Sequence, residues 1–392
     1  MQAARRVAVT GMGVVSPVGV GREAFWQGLM GPQPEGERRV RDFDPSTYYE
    51  GPKEVRRADR VAWFATASAL EALDQAGSLA ADAERTAVIL GSGVGGISTF
   101  ERDVLVHRDK GPRRVSAMMV PMMMLNSAAA ALSMRFGFRG PCESLATACA
   151  TGTHSIGYAA RLIQWGVCDA ALAGGSEAAM TPVSTQGFAN MKALSSDGRS
   201  RPFDAARDGF VLSEGAAVLV LEEWDSAQAR GARVLAEVLG SASLADAHHI
   251  TAPAPGGQGA LRCMRAALVD AGLEAAAIAH VNAHGTGTPL NDEAEALAIA
   301  ELFGDPGPPV VALKGVTGHS LGASGAVEAV AALLCMQRSQ IPPTDGLEDY
   351  DPKLPRIDVV SGEAREWSPG PTLSNSFGFG GHNGTLVLAP AD

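Results

Sequence analysis

Cys149 stands in Leu145-Ala-Thr-Ala-Cys-Ala-Thr-Gly152, where an apolar run gives way to a helical pattern. A thiol with an ordinary pKa of about 8.5 is mostly protonated at neutral pH, and a helix N-terminus lowers that value through unpaired N–H groups and partial positive charge. Two histidines follow far downstream in matching glycine and threonine settings: His284 in Asn282-Ala-His-Gly-Thr-Gly-Thr-Pro289, and His319 in Lys314-Gly-Val-Thr-Gly-His-Ser-Leu-Gly322. Each comes directly after a predicted strand, the place where α/β folds display functional groups. An average free cysteine is only a small buried residue, and that reading is kept for Cys142, Cys168, Cys263 and Cys335. The Thr-Ala-Cys-Ala-Thr-Gly setting makes Cys149 a nucleophile, and one cysteine with two histidines suits thioester chemistry more than proteolysis.

The elements that must position these groups are legible as short β-rich runs alternating with Ala-rich helical patterns, the signature of strand–helix–strand units and a mostly parallel sheet. Strands are predicted at 6–10, 87–90, 170–173, 217–221, 280–283, 310–313 and 385–389. Helices are predicted at 61–76, 153–164, 259–271, 292–302 and 323–337, with apolar positions three and four residues apart, as a helix packed on a sheet requires. A weak internal repeat sets Cys149 against His319: each has a glycine three residues on, Gly152 and Gly322, and each opens an Ala-rich helix. The chain therefore reads as two halves, 1–230 carrying the nucleophile and 231–392 carrying both histidines, sharing one fused core. Residues 246–259 and 341–356 read as long loops.

Composition bounds the function. With 392 residues, 46% of them hydrophobic, the chain buries one large core or two fused ones. A formal net charge of −11 argues against nucleic-acid binding, which needs clustered Lys and Arg. Any acidic partner must find a local basic patch, and Arg56, Arg57 and Arg60, or Arg108, Lys110, Arg113 and Arg114, are the candidates. Such charge runs are ordinarily solvated faces. Five cysteines without a C-x-x-C pair argue against a disulfide framework or a zinc site and for a reducing compartment. Arg5-Arg6 before Val7–Val15 mimics a signal peptide, but glycines and Pro17 break the apolar helix that export needs. No stretch reaches the ~18 apolar residues of a membrane span, so a cytoplasmic protein is expected.

Three further segments invite rival readings. Gly91-Ser-Gly-Val-Gly-Gly96 matches G-x-G-x-x-G after a strand-like run, but no second strand ending in an acidic residue follows, so the glycines read as a turn beside a pocket rather than a dinucleotide site. Met118, Met119, Met122, Met123 and Met124 are core packing by default, and a wall for variable apolar ligands if the chemistry concerns acyl groups. His248-His249, in a Pro-rich loop, reads as solvent-facing rather than as a metal site.

Taken together these segments resemble the β-ketoacyl-[acyl-carrier-protein] synthases, most closely the type II elongating enzymes and their type II polyketide relatives. Beyond the Cys, His and Lys segments, the resemblance rests on Arg201-Pro-Phe-Asp-Ala-Ala-Arg-Asp-Gly-Phe210, Asn291-Asp-Glu-Ala-Glu295 and Asn375-Ser-Phe-Gly-Phe-Gly-Gly-His-Asn-Gly384, and it covers nearly the whole chain. It implies an α/β duplicated thiolase fold in five layers, α-β-α-β-α, and a decarboxylating Claisen condensation that lengthens an acyl chain by two carbons. It implies that Cys149 carries the acyl group, that the N–H groups of Cys149 and Phe379 form an oxyanion hole, and that His284 and His319 hold the malonyl thioester carbonyl. Lys314, paired with Glu328, sets the charge environment. Thr286 and Thr288 grip the phosphopantetheine arm, Phe377 and Phe379 form a gate, Val94 and Phe188 fall in the acyl pocket, and the Met-rich segment, with Met119, reaches across a dimer to bound the acyl tunnel of the second subunit. The enzyme needs no cofactor of its own, since phosphopantetheine arrives on the acyl carrier protein. The partners implied are that carrier protein and a second subunit, either identical or a chain-length factor. Departures are the shortened 42–60 region, Gly315 for a serine, and Ser213 and Ala217 for glycines; they point to a specialised polyketide or polyene pathway as much as to fatty-acid elongation. A chain-length factor lacks the active cysteine, and a thiolase would carry a second cysteine where Phe379-Gly-Gly-His382 stands.

Overall fold

A computed structural model describes residues 5–305 and 307–391. Its main sheet contains β1 (Val7–Ser16), β2 (Gly19–Val20), β3 (Thr86–Gly91), β4 (Cys142–Glu143), β5 (Ala170–Glu177), β6 (Gly215–Glu223), β7 (Ala236–Ala245), β8 (His280–Asn282), β9 (Val310–Val311), β12 (Thr372–Gly378) and β13 (His382–Pro390); a separate ribbon pairs β10 (Gln340–Ile341) with β11 (Arg365–Glu366). The order across the sheet is β4-β3-β5-β6-β1-β7-β13-β12-β8-β9, with β2 paired on β1.

The α/β class stands, and the sheet is mixed, but parallel pairing is confined to its flanks, in β4-β3-β5 and β12-β8-β9. The central pairs β5–β6, β6–β1, β1–β7, β7–β13 and β13–β12 are antiparallel, which corrects the expectation of a mostly parallel sheet. For β12 and β13 the reason is local. Only Phe379, Gly380 and Gly381 join β12 to β13, and so short a link cannot make the crossover that a parallel pair needs.

Two helices, Thr151–Gln164 and Ser324–Arg338, each pack against strands from both halves of the sheet, which therefore enclose them. Outside, helix Arg60–Ala76 covers β1, β5 and β6, while helix Gln258–Ala271 covers β7 and β13 and packs against helix Pro289–Phe303, whose Ala296, Ala298 and Ile299 join the same apolar cluster as sheet residues Val281 and Val310. That is the expected order of five layers. Ser324 to Met336 are buried without exception, as a helix enclosed on all sides requires.

The internal repeat is real, but its register differs from the one the motifs suggest. Each buried helix follows a 3₁₀ turn, Ala148–Ala150 or Leu321–Ala323, whose first residue has a positive φ, 50° at Ala148 and 45° at Leu321. Cys149 therefore corresponds to Gly322, and Gly152 to Gly325. His319 lies three residues before the position equivalent to the cysteine, where it reaches the same site from the loop instead of from the helix start.

Candidate active site

Cys149 occupies the middle of its 3₁₀ turn and is 7% exposed. Thr147 N–H donates to Thr151 Oγ1 at 2.8 Å, closing the turn against the helix. Gly378 lies directly opposite: a Cβ there would stand 3.0 Å from Cys149 N and 2.9 Å from Thr147 O, so only glycine leaves that amide accessible. The backbone N–H groups of Phe379 and of Cys149 itself both aim at the sulfur. Even so, burial pushes the thiol up to about 11, outweighing the Lys314 charge and these amides. Burial thus outweighs the lowering expected from the helix N-terminus, and the Cys149 thiol lies above its ordinary range.

His284 and His319 are 1% and 2% exposed, and their rings meet edge to face with centroids 5.3 Å apart. One ligand-type atom from each, together with Cys149 Sγ, falls within 4.8 Å of the others. The His284 loop hangs on two buried carboxylates of helix Pro289–Phe303: Glu295 accepts from the amides of His284 and Gly285 at 2.8 Å each, and Asp292 accepts from Thr286 N at 3.0 Å. The His319 loop is clamped by its own backbone, with His319 N–H donating to Val211 O at 2.7 Å and Ser213 N–H donating to His319 O at 2.9 Å.

Lys314 is wholly buried, and its ammonium donates to His284 O at 2.6 Å, to His284 Nδ1 at 3.2 Å and to the Glu328 carboxylate. An ammonium has no lone pair. Nδ1 of His284 must therefore accept, and Nε2 carries the ring proton. Burial first, then the Lys314 charge, holds both histidines well below the ordinary imidazole range, so both are neutral hydrogen-bonding groups at physiological pH.

A cavity of about 390 Å³ runs from this cluster to the surface. Of the residues singled out in the sequence, Cys149, His284, His319, Thr286, Thr288, Phe188, Phe377 and Phe379 line it; Lys314 and Glu328 sit buried behind the histidines. Val94 and Met119 are not among the lining residues, and the Met-rich segment packs against the glycine turn instead, where a Cβ on Gly96 would meet Met122 O at 2.1 Å. Thr286 and Thr288 share a hydroxyl hydrogen bond of 2.9 Å in the wall. Lys192, which lies in no motif, and Asp208, which lies within the Arg201–Phe210 motif without having been singled out, also line the cavity.

Sequence reading also missed Glu177. It is fully buried at the end of β5 and accepts from Gly93 N at 2.7 Å, Ser92 Oγ at 2.8 Å, Gly322 N at 3.1 Å and Val94 N at 3.4 Å. Burial pushes it up to about 7 despite those donors. Here lies the use of the G-x-G-x-x-G match: its amides cradle a carboxylate of the chain, tying that turn to the Gly322 turn behind Cys149. The available signal was an acidic residue just past a predicted apolar strand. Of the basic candidates, Arg60 is committed to buried Glu214 at 2.6 and 2.9 Å, and Arg108 to Asp109 at 2.6 Å, whereas Arg56 and Arg57 remain exposed.

Comparison with known proteins agrees with this geometry. Residues 31–227 match the model for "Beta-ketoacyl synthase, N-terminal domain" and residues 235–348 that for "Beta-ketoacyl synthase, C-terminal domain". A 3-oxoacyl-[acyl-carrier-protein] synthase 2 of Synechocystis is 42% identical over 408 residues, and one of Vibrio harveyi 41% over 413, each covering 98% of both chains. Among solved structures, the ishigamide ketosynthase/chain length factor superposes with a TM-score of 0.91 at 35% identity, covering 100% of both chains. A β-ketoacyl synthase from Burkholderia phymatum gives 0.90 at 33%, covering 99% of this chain and 100% of that one. The chain belongs to the β-ketoacyl synthase family, the acyltransferase-class enzymes that condense acyl units.

Proposed function

We propose that the chain catalyses decarboxylative condensation of malonyl-acyl carrier protein with an acyl group held on Cys149. The convergence of Cys149 Sγ, His284 and His319 within 4.8 Å at the foot of one cavity carries this reading. Cys149 attacks the acyl thioester; the carbon–sulfur bond to the carrier breaks, and the carrier thiol departs with the proton. The N–H groups of Cys149 and Phe379 hold the oxyanion, an arrangement worth roughly 10²–10³ in rate per donor. Malonyl carrier protein then enters, with Thr286 and Thr288 against its phosphopantetheine arm. Nε2–H of His284, with His319, holds the thioester carbonyl while carbon dioxide leaves, so the electron pair of the broken carbon–carbon bond becomes an enolate. The enolate carbon attacks the Cys149 thioester, Sγ leaves and is reprotonated, and a β-ketoacyl carrier protein two carbons longer is released. The enzyme contributes no cofactor of its own to this sequence.

The second subunit belongs to the same proposal. Phe100, Val104 and Leu105 on helix Ile97–Lys110, with Val120, Met124 and Leu125 in and after the neighbouring helix Met119–Met123, present exposed apolar side chains, and β4 leaves one edge of the sheet open. Such a face suits a second ketosynthase-like chain, whose approach would bring Met119 and Val94 into an acyl tunnel. One similar structure is described as a ketosynthase/chain length factor pair and another as a carrier protein in complex with its ketosynthase, which supports both kinds of partner. A cytoplasmic location is part of the reading, supported by five free cysteines. Among the described residues no helix is long and apolar enough to cross a membrane.

The test is to incubate the chain, alone and with any ketosynthase-like partner, with acyl- and malonyl-carrier proteins and to follow products by intact mass. The expected product is a β-ketoacyl carrier protein two carbons longer. Efficient elongation of long acyl chains by the chain alone would favour fatty-acid synthesis, a requirement for the partner would favour a polyketide or polyene pathway, and no condensation in either case would overturn the proposal.

A further inference from the structure

The geometry points to Ser324 as a positioning residue that fixes the tautomer of His319, an inference that rests on the carbonyl-binding role proposed for that ring. Lys314 settles the tautomer of His284, because a group without a lone pair can only donate. Nothing so decisive touches His319. Its Nδ1 lies 2.9 Å from Ser324 Oγ, a hydroxyl able to give or to accept, and Ser320 Oγ stands 3.3 Å beyond. All three side chains are buried, at 2%, 3% and 5% exposure.

Two features choose the direction. Ser324 is the first residue of the 15-residue buried helix, and no side chain caps that helix start. The positive end of the helix favours the lone pair of an imidazole facing it, and disfavours an N–H in the same place. Ser320, for its part, can donate to Ser324 Oγ, leaving the single hydroxyl hydrogen of Ser324 for Nδ1. His319 is then an Nε2–H ring. Both histidines thus present the same kind of donor to the cavity, one set by a cation and the other by a serine relay. Two N–H donors converging on one oxygen fit a carbonyl that becomes an enolate, whereas a bare Nε2 would repel it.

The direct test is ¹⁵N NMR of the wild-type protein with labelled histidine, His319 being assigned by its loss in His319→Ala. The inference requires the Nε2–H pattern; an Nδ1–H pattern overturns it without any variant. In Ser324→Ala, which removes the oxygen and little volume, malonyl decarboxylation should fall about tenfold, the worth of roughly one neutral hydrogen bond. Acylation of Cys149 should stay within about twofold, a split that a general loss of structure would not give. Ser320→Ala should weaken decarboxylation less than Ser324→Ala. Equal decarboxylation in wild type and Ser324→Ala overturns the inference. His319→Ala tests the underlying reading separately: if it still decarboxylates at the wild-type rate, the donor role of the ring has failed, whatever its tautomer.

Discussion

Gly152 and Gly325 meet where the two buried helices cross, each the second residue of its own helix. A Cβ on Gly152 would stand 2.6 Å from Ala326 N, and one on Gly325 would stand 2.8 Å from Thr153 N and 2.1 Å from Thr153 Oγ1. The contact is reciprocal: each glycine faces the residue that follows its counterpart. It sets how closely the two helix starts approach, and so how near the cysteine turn lies to the His319 loop.

Gly325→Ala should therefore cost about 1–3 kcal/mol or more in denaturant unfolding, because, besides the hydroxyls of Thr153 and Ser376, the new Cβ meets the backbone at Thr153 N, which cannot swing aside. It should also slow acylation of Cys149, measured by intact mass against time. Gly187→Ala is the control. That glycine lies in helix Pro182–Asn190 with nothing within 4 Å of its missing Cβ, so the same change there should be neutral or stabilise by up to ~1 kcal/mol.

Lys314→Met would leave Glu328 buried without its cation and should destabilise the fold by about 3–5 kcal/mol. It should also release the His284 tautomer and depress malonyl decarboxylation. Adding Glu328→Leu removes the stranded carboxylate, so the double variant should regain much of the stability while decarboxylation stays low. Unfolding curves and carbon dioxide release on the same three proteins separate the two effects.

His280 offers a pH test away from the site. Both its ring nitrogens are buried without a hydrogen-bond partner, its ring lies edge to face with Trp367, and burial pushes it down to about 3. The unfolded chain binds a proton near the ordinary imidazole pKa of about 6.5, so protons favour unfolding below that value. The contribution of this residue is full above pH ~6.5 and declines as the pH falls toward about 3. At pH 5 the loss is about 2 kcal/mol, and His280→Phe should remove that part of the acid limb in chemical denaturation.

The candidate site was legible because its residues share a recognisable setting: Cys149, His284, Lys314 and His319 each lie in a segment rich in glycine and threonine, and the structure gathers them around one cavity. Every predicted strand and helix is present. Two central strands stayed illegible because they lack the usual apolar signal. β7 runs Ala-Glu-Val-Leu-Gly-Ser-Ala-Ser-Leu-Ala, and β12 runs Thr-Leu-Ser-Asn-Ser-Phe-Gly. Both are rich in small or polar residues, and in β12 the polar positions are satisfied internally, as in the Thr385 to Asn375 bond of 2.9 Å. The repeat register was misread because glycine spacing matched one turn of chain, whereas backbone φ at Ala148 and Leu321 matched another. Glu177 was passed over because its partners are amides far away in sequence. The rise in the Cys149 pKa was equally hidden, since burial is a property of the assembled cavity and the helix start is a property of the segment.

The most direct measurement follows one sulfur through both half-reactions. Wild type and Cys149→Ala are incubated with acyl carrier protein alone, weighed intact and digested to locate any adduct, then chased with malonyl carrier protein. The account predicts one acyl group on the Cys149 peptide of the wild type, none in the variant, and loss of that adduct on the chase as a β-ketoacyl carrier protein two carbons longer appears. An acyl adduct that persists in Cys149→Ala, or one on Cys149 that malonyl carrier protein fails to discharge into that product, would contradict it.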